Sequence, residues 1–153
     1  MGTPMGKKKD PAKPKKKSKK TPYQKAKDKA WSAFSRFIRT RDCLKTTGDP
    51  EWGICYTCRT KHNFKNLQAG HYVQGRHNSI LFSEDGVNAQ CRQCNIFKGG
   101  NLKEYRKHLI EEYGEGFPDK LDEQNILRDK FTEEELAEIT RIYTDKTEVL
   151  ANI

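Results

Sequence analysis

The sequence has 153 residues, of which 33% are hydrophobic, with a mean hydropathy of −1.02 and a formal net charge of +9. This length predicts one domain with tails, and a chain this polar builds only a small core, which usually needs a metal or disulfides for stability. No apolar run reaches the roughly 18 residues of a transmembrane helix, and the basic N-terminus lacks the apolar segment of a secretory signal. The cysteines are therefore expected in a reducing compartment, where they indicate metal binding rather than disulfides.

Positive charge is concentrated at the start of the chain. Residues 1–45 contain 16 Lys/Arg and 3 Asp/Glu, whereas residues 111–153 contain 5 and 13. A basic segment of this size indicates a polyanionic partner. Nucleic acid is favoured over a membrane, because no amphipathic apolar stripe accompanies the lysines.

Residues 1–20 contain nine lysines, three prolines and no aromatic residue, a composition that predicts a disordered arm. Two interpretations remain for it: the lysines contact phosphates without sequence preference, or they keep a solvated tail soluble. The lysines assigned to phosphate contact are Lys7, Lys8, Lys9, Lys15, Lys16 and Lys17.

A long helix is predicted to begin at Pro22. Thr21 and Gln24 have the spacing of a capping box, and proline suits the first helical turn. Apolar residues then recur at helical spacing as far as Ile38, and the opposite face is basic. The helix is expected to end between residues 41 and 44, before a Thr-Gly-Asp-Pro turn.

The middle of the chain predicts short strands around two Cys-x-x-Cys pairs. Residues 54–58 predict a strand that enters the first pair, residues 59–67 a polar loop, and residues 67–73 a second strand. Residues 87–90 lead into the second pair. A short helix is expected to run from there to about Lys98, where two glycines stop it.

The C-terminal third predicts helices only. Asn101 is expected to cap a helix over the following dozen residues, a weak helix is expected at residues 119–127, and Thr132 opens a final helix with a capping box.

The predicted organisation is an arm over 1–20, a single domain over 21–153, its core over 51–113 and a helical extension over 117–151.

Four of the five cysteines form two Cys-x-x-Cys pairs separated by 32 residues. Four thiolates at this spacing predict a closed, structural zinc site. His62 could compete as a ligand, although four thiols are already available. Cys43 is left over and is expected to be a buried free thiol. The predicted zinc ligands are Cys55, Cys58, Cys91 and Cys94.

A histidine and an amide accompany the cysteine pairs. His71 lies on the predicted second strand, and Asn95 follows the last cysteine, with Lys98 three residues further on the same helix face. A knuckle, a hairpin and this helix would make a treble-clef-like ββα unit. Phosphodiester hydrolysis needs a base to activate water and a cation for the leaving oxygen. A neutral histidine suits the first task, and an amide oxygen with waters suits Mg²⁺.

Residues 55–101 resemble the HNH, or His-Me finger, endonuclease motif. They are similar more narrowly to the NinG (Rap) family of lambdoid-phage recombination proteins, over roughly residues 30–113, and their Cys-x-x-Cys-Asn ending is similar to phage recombination endonuclease VII. The segments that carry the resemblance are Cys55-x-x-Cys58, Ala69-Gly70-His71-Tyr72, Phe82 to Asn88, Gln90-Cys91-x-x-Cys94-Asn95 and Lys98-x-Gly100-Asn101-Leu102.

The resemblance implies an α+β fold with a zinc-stabilised ββα-metal core flanked by helices. It implies that His71 is the general base, that Asn88 holds the His71 strand and orients the ring, and that Asn95 binds a catalytic Mg²⁺ or Mn²⁺. The four cysteines would hold the structural zinc. The implied substrates are Holliday junctions and D-loops, cut by a phage-encoded protein in the cytoplasm of a bacterial host.

One position departs from the motif. Many HNH enzymes carry an aspartate before the catalytic histidine as a second metal ligand, and this chain has Gly70 there. Either Asn95 is the only protein ligand and waters complete the octahedron, or another group contributes. The candidates are His77, Glu84 and Asp85.

Simpler interpretations remain open. His71 could be a structural histidine and Asn95 a helix cap, and the chain could be a non-catalytic zinc module that binds DNA or RNA, or a protein-interaction domain acting through its acidic helix. Symmetric cutting of a junction needs two active sites, which suggests a homodimer through the apolar helices at 102–113 and 132–150. Candidate DNA contacts in the core are Arg76, Arg92 and Lys98.

Overall fold

A computed structural model describes residues 2, 6, 11–14, 18–75, 78–128 and 130–152. Its strands form two separate two-stranded antiparallel sheets, which together with the helices confirms the predicted α+β class. The helices are α1 (Pro22–Thr47), α2 (Leu102–Tyr113), α3 (Phe117–Gln124) and α4 (Glu133–Ala151). The strands are β1 (Trp52–Ile54), β2 (Lys61–Asn63), β3 (Leu67–His71) and β4 (Val87–Cys91). The predicted site residues that lie outside the described residues are Lys7, Lys8, Lys9, Lys15, Lys16, Lys17, Arg76 and His77.

Helix α1 begins where the sequence predicts it. The Thr21 hydroxyl accepts a hydrogen bond from the Gln24 N–H at 3.1 Å, and the Gln24 side chain accepts one from the Thr21 N–H at 3.0 Å, so both halves of the capping box form. The helix continues past its expected end to Thr47, where Gly48 stops it at a φ of 76°. This left-handed cap favours glycine because a Cβ is disfavoured there.

The main core lies between α1 and α4. The rings of Phe34 and Phe37 pack against Tyr143 of α4, with centroids 4.8 and 5.2 Å apart. Such aromatic pairs contribute about 0.5–1.5 kcal/mol each beyond the area they bury. The apolar side of α4 that a homodimer was expected to use therefore packs largely within the chain, and the dimer stays a prediction.

A charged pair near the end of α1 ties this helix to β4. Asp42 accepts a hydrogen bond from the Ala89 N–H at 2.7 Å and binds the Arg41 guanidinium at 2.8 Å. Arg41 also donates to the carbonyl oxygens of Glu84 and Val87, at 2.7 and 3.0 Å. Burial lowers the pKa of Arg41, but Asp42 outweighs burial and raises that pKa above its ordinary value. Helical periodicity gave no sign of this pair, because both residues look like surface charges in sequence.

The first sheet was predicted only in part. Lys61–Asn63 form β2 where a polar loop was expected, and Gly53 of β1 stands opposite His62. The strand has no apolar alternation, which is why the pattern missed it. Its pairing is continued by a backbone hydrogen bond from the Cys55 N–H to the Thr60 carbonyl at 2.9 Å.

The second sheet is the hairpin that carries His71. Strands β3 and β4 pair with Gly70 opposite Asn88 and His71 opposite Val87. His71 ends its strand, two residues before the expected end at Val73. Strand β4 is buried along its whole length, and it leads directly into the second cysteine pair.

The N-termini of α2 and α4 differ in their capping. Asn101 takes a left-handed φ of 49° and makes no side-chain cap. Its amide donates instead to Cys94 Sγ at 3.5 Å, so the predicted cap was wrong because the cysteine cluster competes for the side chain. Thr132 accepts a hydrogen bond from the Glu135 N–H at 3.1 Å and caps α4, which confirms the hydroxyl half of the predicted capping box. Helix α3 forms near the predicted weak helix. Within the described part of the chain, no helix combines the length and apolarity needed to cross a membrane.

Candidate active site

The four predicted cysteines come together where the knuckle after β1 meets the end of β4. Their Sγ atoms all lie within 4.8 Å of one another, and the Sγ atoms of Cys58 and Cys91 are 3.7 Å apart. Tetrahedral zinc with Zn–S bonds of about 2.3 Å needs sulfur atoms about 3.8 Å apart, whereas a disulfide needs about 2.05 Å. The donor set and its spacing therefore fit zinc, and all five cysteines are free thiols in this structure.

The surroundings of the cluster lower the pKa of one cysteine, Cys55, and raise that of another, Cys91. Burial raises the pKa of Cys55, but hydrogen bonds from the Thr57 hydroxyl and from backbone N–H groups outweigh it and lower that pKa to about 6. Burial, together with the negative charge on Cys55, raises the pKa of Cys91 to about 12. A divalent cation among the four sulfurs would remove this opposition, because metal binding stabilises every thiolate at once.

His62 lies beside the cluster without joining it. Its Nε2 is 2.6 Å from Thr60 Oγ1, which is 2.9 Å from Cys58 Sγ. The histidine therefore supports one cysteine through a hydroxyl, the kind of outer contact that orients metal ligands. This placement agrees with the prediction that four thiols suffice.

His71 lies at the end of β3 with 6% of its surface exposed. Its ring stacks on Trp31 of α1, with centroids 5.3 Å apart and an angle of 18° between the planes. Its Nε2 lies 2.9 Å from the carbonyl oxygen of Leu81. A carbonyl only accepts, so Nε2 carries the proton of the neutral ring and Nδ1 is the nitrogen that can receive one. The contact sets the tautomer that a general base would need.

Asn95 lies in a single π-helical turn, Gln93–Phe97, between the cysteine cluster and α2. Its Nδ2 donates to Gln68 Oε1 at 2.9 Å. Its Oδ1 faces Gly70, because a Cβ built on that glycine would lie 2.9 Å from this oxygen. Gly70 directly precedes His71 on β3. The amide oxygen therefore faces the residue next to the candidate base, although successive side chains of a strand point to opposite faces of the sheet.

A second oxygen, which the sequence did not single out, occupies the same space. Gln90 is fully buried, and its Nε2 donates to Thr57 Oγ1 at 3.1 Å and to the Gly100 carbonyl at 2.8 Å. Its Oε1 lies 1.9 Å from the position of a Gly70 Cβ, and among the described residues it has no hydrogen-bond partner. Leaving a buried carbonyl oxygen unpaired costs about 1–3 kcal/mol. Only glycine fits at position 70 while Gln90 keeps this place.

Asn88 reaches the His71 strand through a tyrosine. Its Nδ2 donates to the Tyr105 hydroxyl at 3.1 Å, and this hydroxyl donates to the Gly70 carbonyl at 2.7 Å. All three groups are buried. Tyr105 lies on α2, and helical periodicity cannot show that its hydroxyl completes a polar network.

The remaining predicted residues lie around the rim or away from the site. Arg92 and Lys98 are exposed on either side of the π-helical turn. The Glu84 carboxylate binds Lys146 of α4 at 2.8 Å, so it is engaged on another side of the hairpin. Asp85 is exposed in the turn before β4.

A groove of about 410 Å³ passes in front of the site. It is lined by Asn95 and by Trp31, whose ring stacks on His71, whereas His71 itself is not part of the lining. Arg39 and Lys65 supply positive charge along it, and its lining contains no acidic residue. A groove with this lining suits a phosphate backbone.

The chain matches the family model described as Bacteriophage Lambda NinG protein over residues 5–152. Proteins named Protein ninG from Escherichia phage 933W and Escherichia phage lambda are each 33% identical to it over 124 residues, covering 80% of this chain. The Protein ninG of Salmonella phage P22 is 33% identical over 118 residues, or 76% of the chain. These alignments cover 57, 56 and 53% of the three relatives, so the chain spans a little over half their length. No solved structure matches it.

Proposed function

The chain belongs to the NinG family of bacteriophage proteins, as its motifs predicted, and we propose that it is a metal-dependent DNA endonuclease. The observation that carries the proposal is an oxygen donor that faces the residue directly before a histidine of set tautomer. His71 has its tautomer set by a backbone carbonyl, and the Asn95 oxygen faces the residue directly before it. In this proposal β3, β4, the π-helical turn and α2 form an HNH-type ββα-metal core held by zinc.

His71 would accept the proton of the attacking water at Nδ1. The stacked Trp31 and the Leu81 carbonyl hold the ring in place, so little orientational freedom is lost as the water attacks. The imidazolium that results keeps its Nε2–H bond to the carbonyl. Asn88 and Tyr105 would keep the strand, and hence the ring, in register.

Asn95 would bind Mg²⁺ or Mn²⁺ through Oδ1. The fit rests on the donor chemistry, because a neutral amide oxygen facing an open glycine is a hard ligand of the kind these ions take. When bound, such an ion supplies positive charge to the scissile phosphate and to the leaving oxygen. The hydrogen bond from Asn95 to Gln68 holds the oxygen in this direction.

The proposed substrate is branched DNA of recombination, such as a Holliday junction or a D-loop, in the cytoplasm of a phage-infected bacterium. The NinG-family motifs suggest this substrate class. The basic groove with Arg39 and Lys65 supports a nucleic-acid backbone as the ligand, and Arg92 and Lys98 are placed to extend the contact. Phosphate contacts of this kind position a duplex without reading its sequence.

A non-catalytic zinc module that binds nucleic acid is the second candidate. The burial of His71, which exposes 6% of its surface, favours it, since a packed histidine has a structural role in most proteins. The cysteine cluster and the basic groove would serve binding alone. The two candidates differ in what they require of His71 and Asn95.

Nicking of a four-way junction and of a linear duplex, with Mg²⁺ and with EDTA, separates the candidates. General-base catalysis contributes about 10²–10⁴-fold, so His71→Ala should lose at least about 100-fold in rate while binding the junction as before. His108→Gln, which changes a histidine of α2 and keeps a donor for the Thr57 carbonyl, is the matched control and should cut normally. Junction binding by the wild-type protein without cleavage under Mg²⁺, Mn²⁺ or Co²⁺ would establish the binding module instead.

A further inference from the structure

Building on the proposed endonuclease, we infer that Gln90 Oε1 is the second protein ligand of the divalent ion. The position that carries an acidic ligand in many HNH enzymes is Gly70 here, and the side-chain atoms nearest to a Cβ at that position belong to Gln90 and Asn95. The amide oxygen of Gln90 occupies the space in front of that glycine. The oxygen ligand would thus come from β4 instead of β3.

The orientation of the Gln90 amide follows from its neighbours. The Gly100 carbonyl accepts from Nε2 at 2.8 Å, and a carbonyl has no proton to donate. The nitrogen must therefore face Gly100, which directs the oxygen to the opposite side, toward Gly70. The hydrogen bonds of the nitrogen give this side chain a structural role. They do not explain the oxygen, which has no hydrogen-bond partner among the described residues.

Two oxygens converge beside Gly70. A Cβ there would lie 1.9 Å from Gln90 Oε1 and 2.9 Å from Asn95 Oδ1, so these oxygens are at most 4.8 Å apart. With Mg²⁺–O bonds of about 2.1 Å, neighbouring octahedral ligands lie about 3 Å apart and opposite ones about 4.2 Å. This upper bound is compatible with two ligands of one ion.

Burial separates Gln90 from an ordinary surface glutamine. Its side chain is fully enclosed, and Oε1 is a buried acceptor without a partner in the described structure. Asn95 is only partly buried and lines the groove, so the Asn95 side of the pair is open to solvent. A ligand that is neutral, like Asn95, leaves the full charge of the ion available to phosphate.

Manganese binding tests the inference without relying on cleavage. Zinc-loaded protein is titrated with Mn²⁺ in the absence of DNA, and free Mn²⁺ is measured by electron paramagnetic resonance. We expect one Mn²⁺ per wild-type chain, and an affinity at least tenfold lower for both Gln90→Met and Asn95→Ala. Gln93→Met, at an exposed glutamine of the π-helical turn, should bind like wild type.

The outcomes distinguish this inference from the function on which it rests. Normal Mn²⁺ binding by Gln90→Met with weakened binding by Asn95→Ala would overturn the role of Gln90 and leave the endonuclease proposal standing. Absence of Mn²⁺ binding by the wild-type protein would overturn both. A rescue by the double variant Gly70→Asp/Gln90→Ala, in which a carboxylate enters the space vacated by the glutamine, would support the inference.

A measurement on the unaltered chain covers the case in which Gln90→Met does not fold. The side-chain carbonyl carbons of zinc-loaded wild-type protein are followed by ¹³C NMR during a Mg²⁺ titration. The Gln90 Cδ and Asn95 Cγ signals should shift together and saturate together, with Gln93 Cδ unchanged. A shift of the Asn95 signal alone would overturn the assignment of Gln90.

Discussion

Replacing Tyr105 with phenylalanine should destabilise the protein by breaking the link between Asn88 and the His71 strand. Tyr105 is fully buried, and its hydroxyl donates to the Gly70 carbonyl at 2.7 Å while it accepts from Asn88 at 3.1 Å. Phenylalanine keeps the ring and its packing but removes the partner of both groups. A buried polar group left unpaired costs about 1–3 kcal/mol, so two such groups, with some relaxation, should lower the free energy of unfolding by about 2–4 kcal/mol.

Urea unfolding of zinc-loaded Tyr105→Phe, followed by circular dichroism, measures this loss as a lower midpoint at an unchanged denaturant slope. Tyr72→Phe is the matched control, because its ring lies 5.4 Å from that of Tyr105 and its hydroxyl accepts only a long 3.4 Å bond from Arg106. We expect the control to lose less than about 0.5 kcal/mol, as for most surface substitutions. Equal losses in the two variants would refute the role assigned to the buried hydroxyl.

Three other predictions concern the metal, the histidine and the odd cysteine. A strong chelator should unfold residues 55–101, because structural zinc contributes roughly 10–16 kcal/mol and a whole domain has about 5–15; near-ultraviolet circular dichroism that survives verified zinc removal would contradict this. Cleavage should slow at acid pH, since imidazolium cannot accept a proton, and a rate constant independent of pH would count against His71 as the base. Burial raises the pKa of Cys43 to about 11, so at pH 8 it is a protonated thiol that iodoacetamide should modify only after unfolding, as mass spectrometry of the labelled chain would show. Rapid labelling of Cys43 in the folded, zinc-loaded protein would show that it is accessible as a thiolate.

The four-cysteine cluster could be predicted from the sequence because its determinants are local. The knuckle turn in each pair depends on two cysteines three residues apart, and four thiols have few uses other than zinc in a reducing compartment. The capping boxes and the apolar stripe of α1 are local for the same reason. Strand β2 was missed because nothing in its own residues favours a strand, and its pairing depends on the neighbouring knuckle.

The arrangement of side chains beside Gly70 could not be predicted from the sequence. The sequence indicated that an acidic ligand is missing there, and it offered His77, Glu84 and Asp85 as replacements. The structure places Gln90, Asn95 and Gly70 together because the register of β3 and β4 brings residues 20 apart in sequence against each other. Distances of this kind depend on strand register and helix packing, which composition and periodicity do not specify.

The sequence by itself determined the class of the protein and the chemistry available to it. Metal ligands, a histidine, amides and basic residues at set spacings are properties of single positions and short motifs. Only the tertiary structure decided which of these groups meet. A backbone carbonyl sets the tautomer of His71, Tyr105 connects Asn88 to the His71 strand, and the Gln90 amide oxygen fills the space before Gly70. The physical reason is that hydrogen bonds and close contacts act over about 3 Å, and only the folded chain brings distant residues that near.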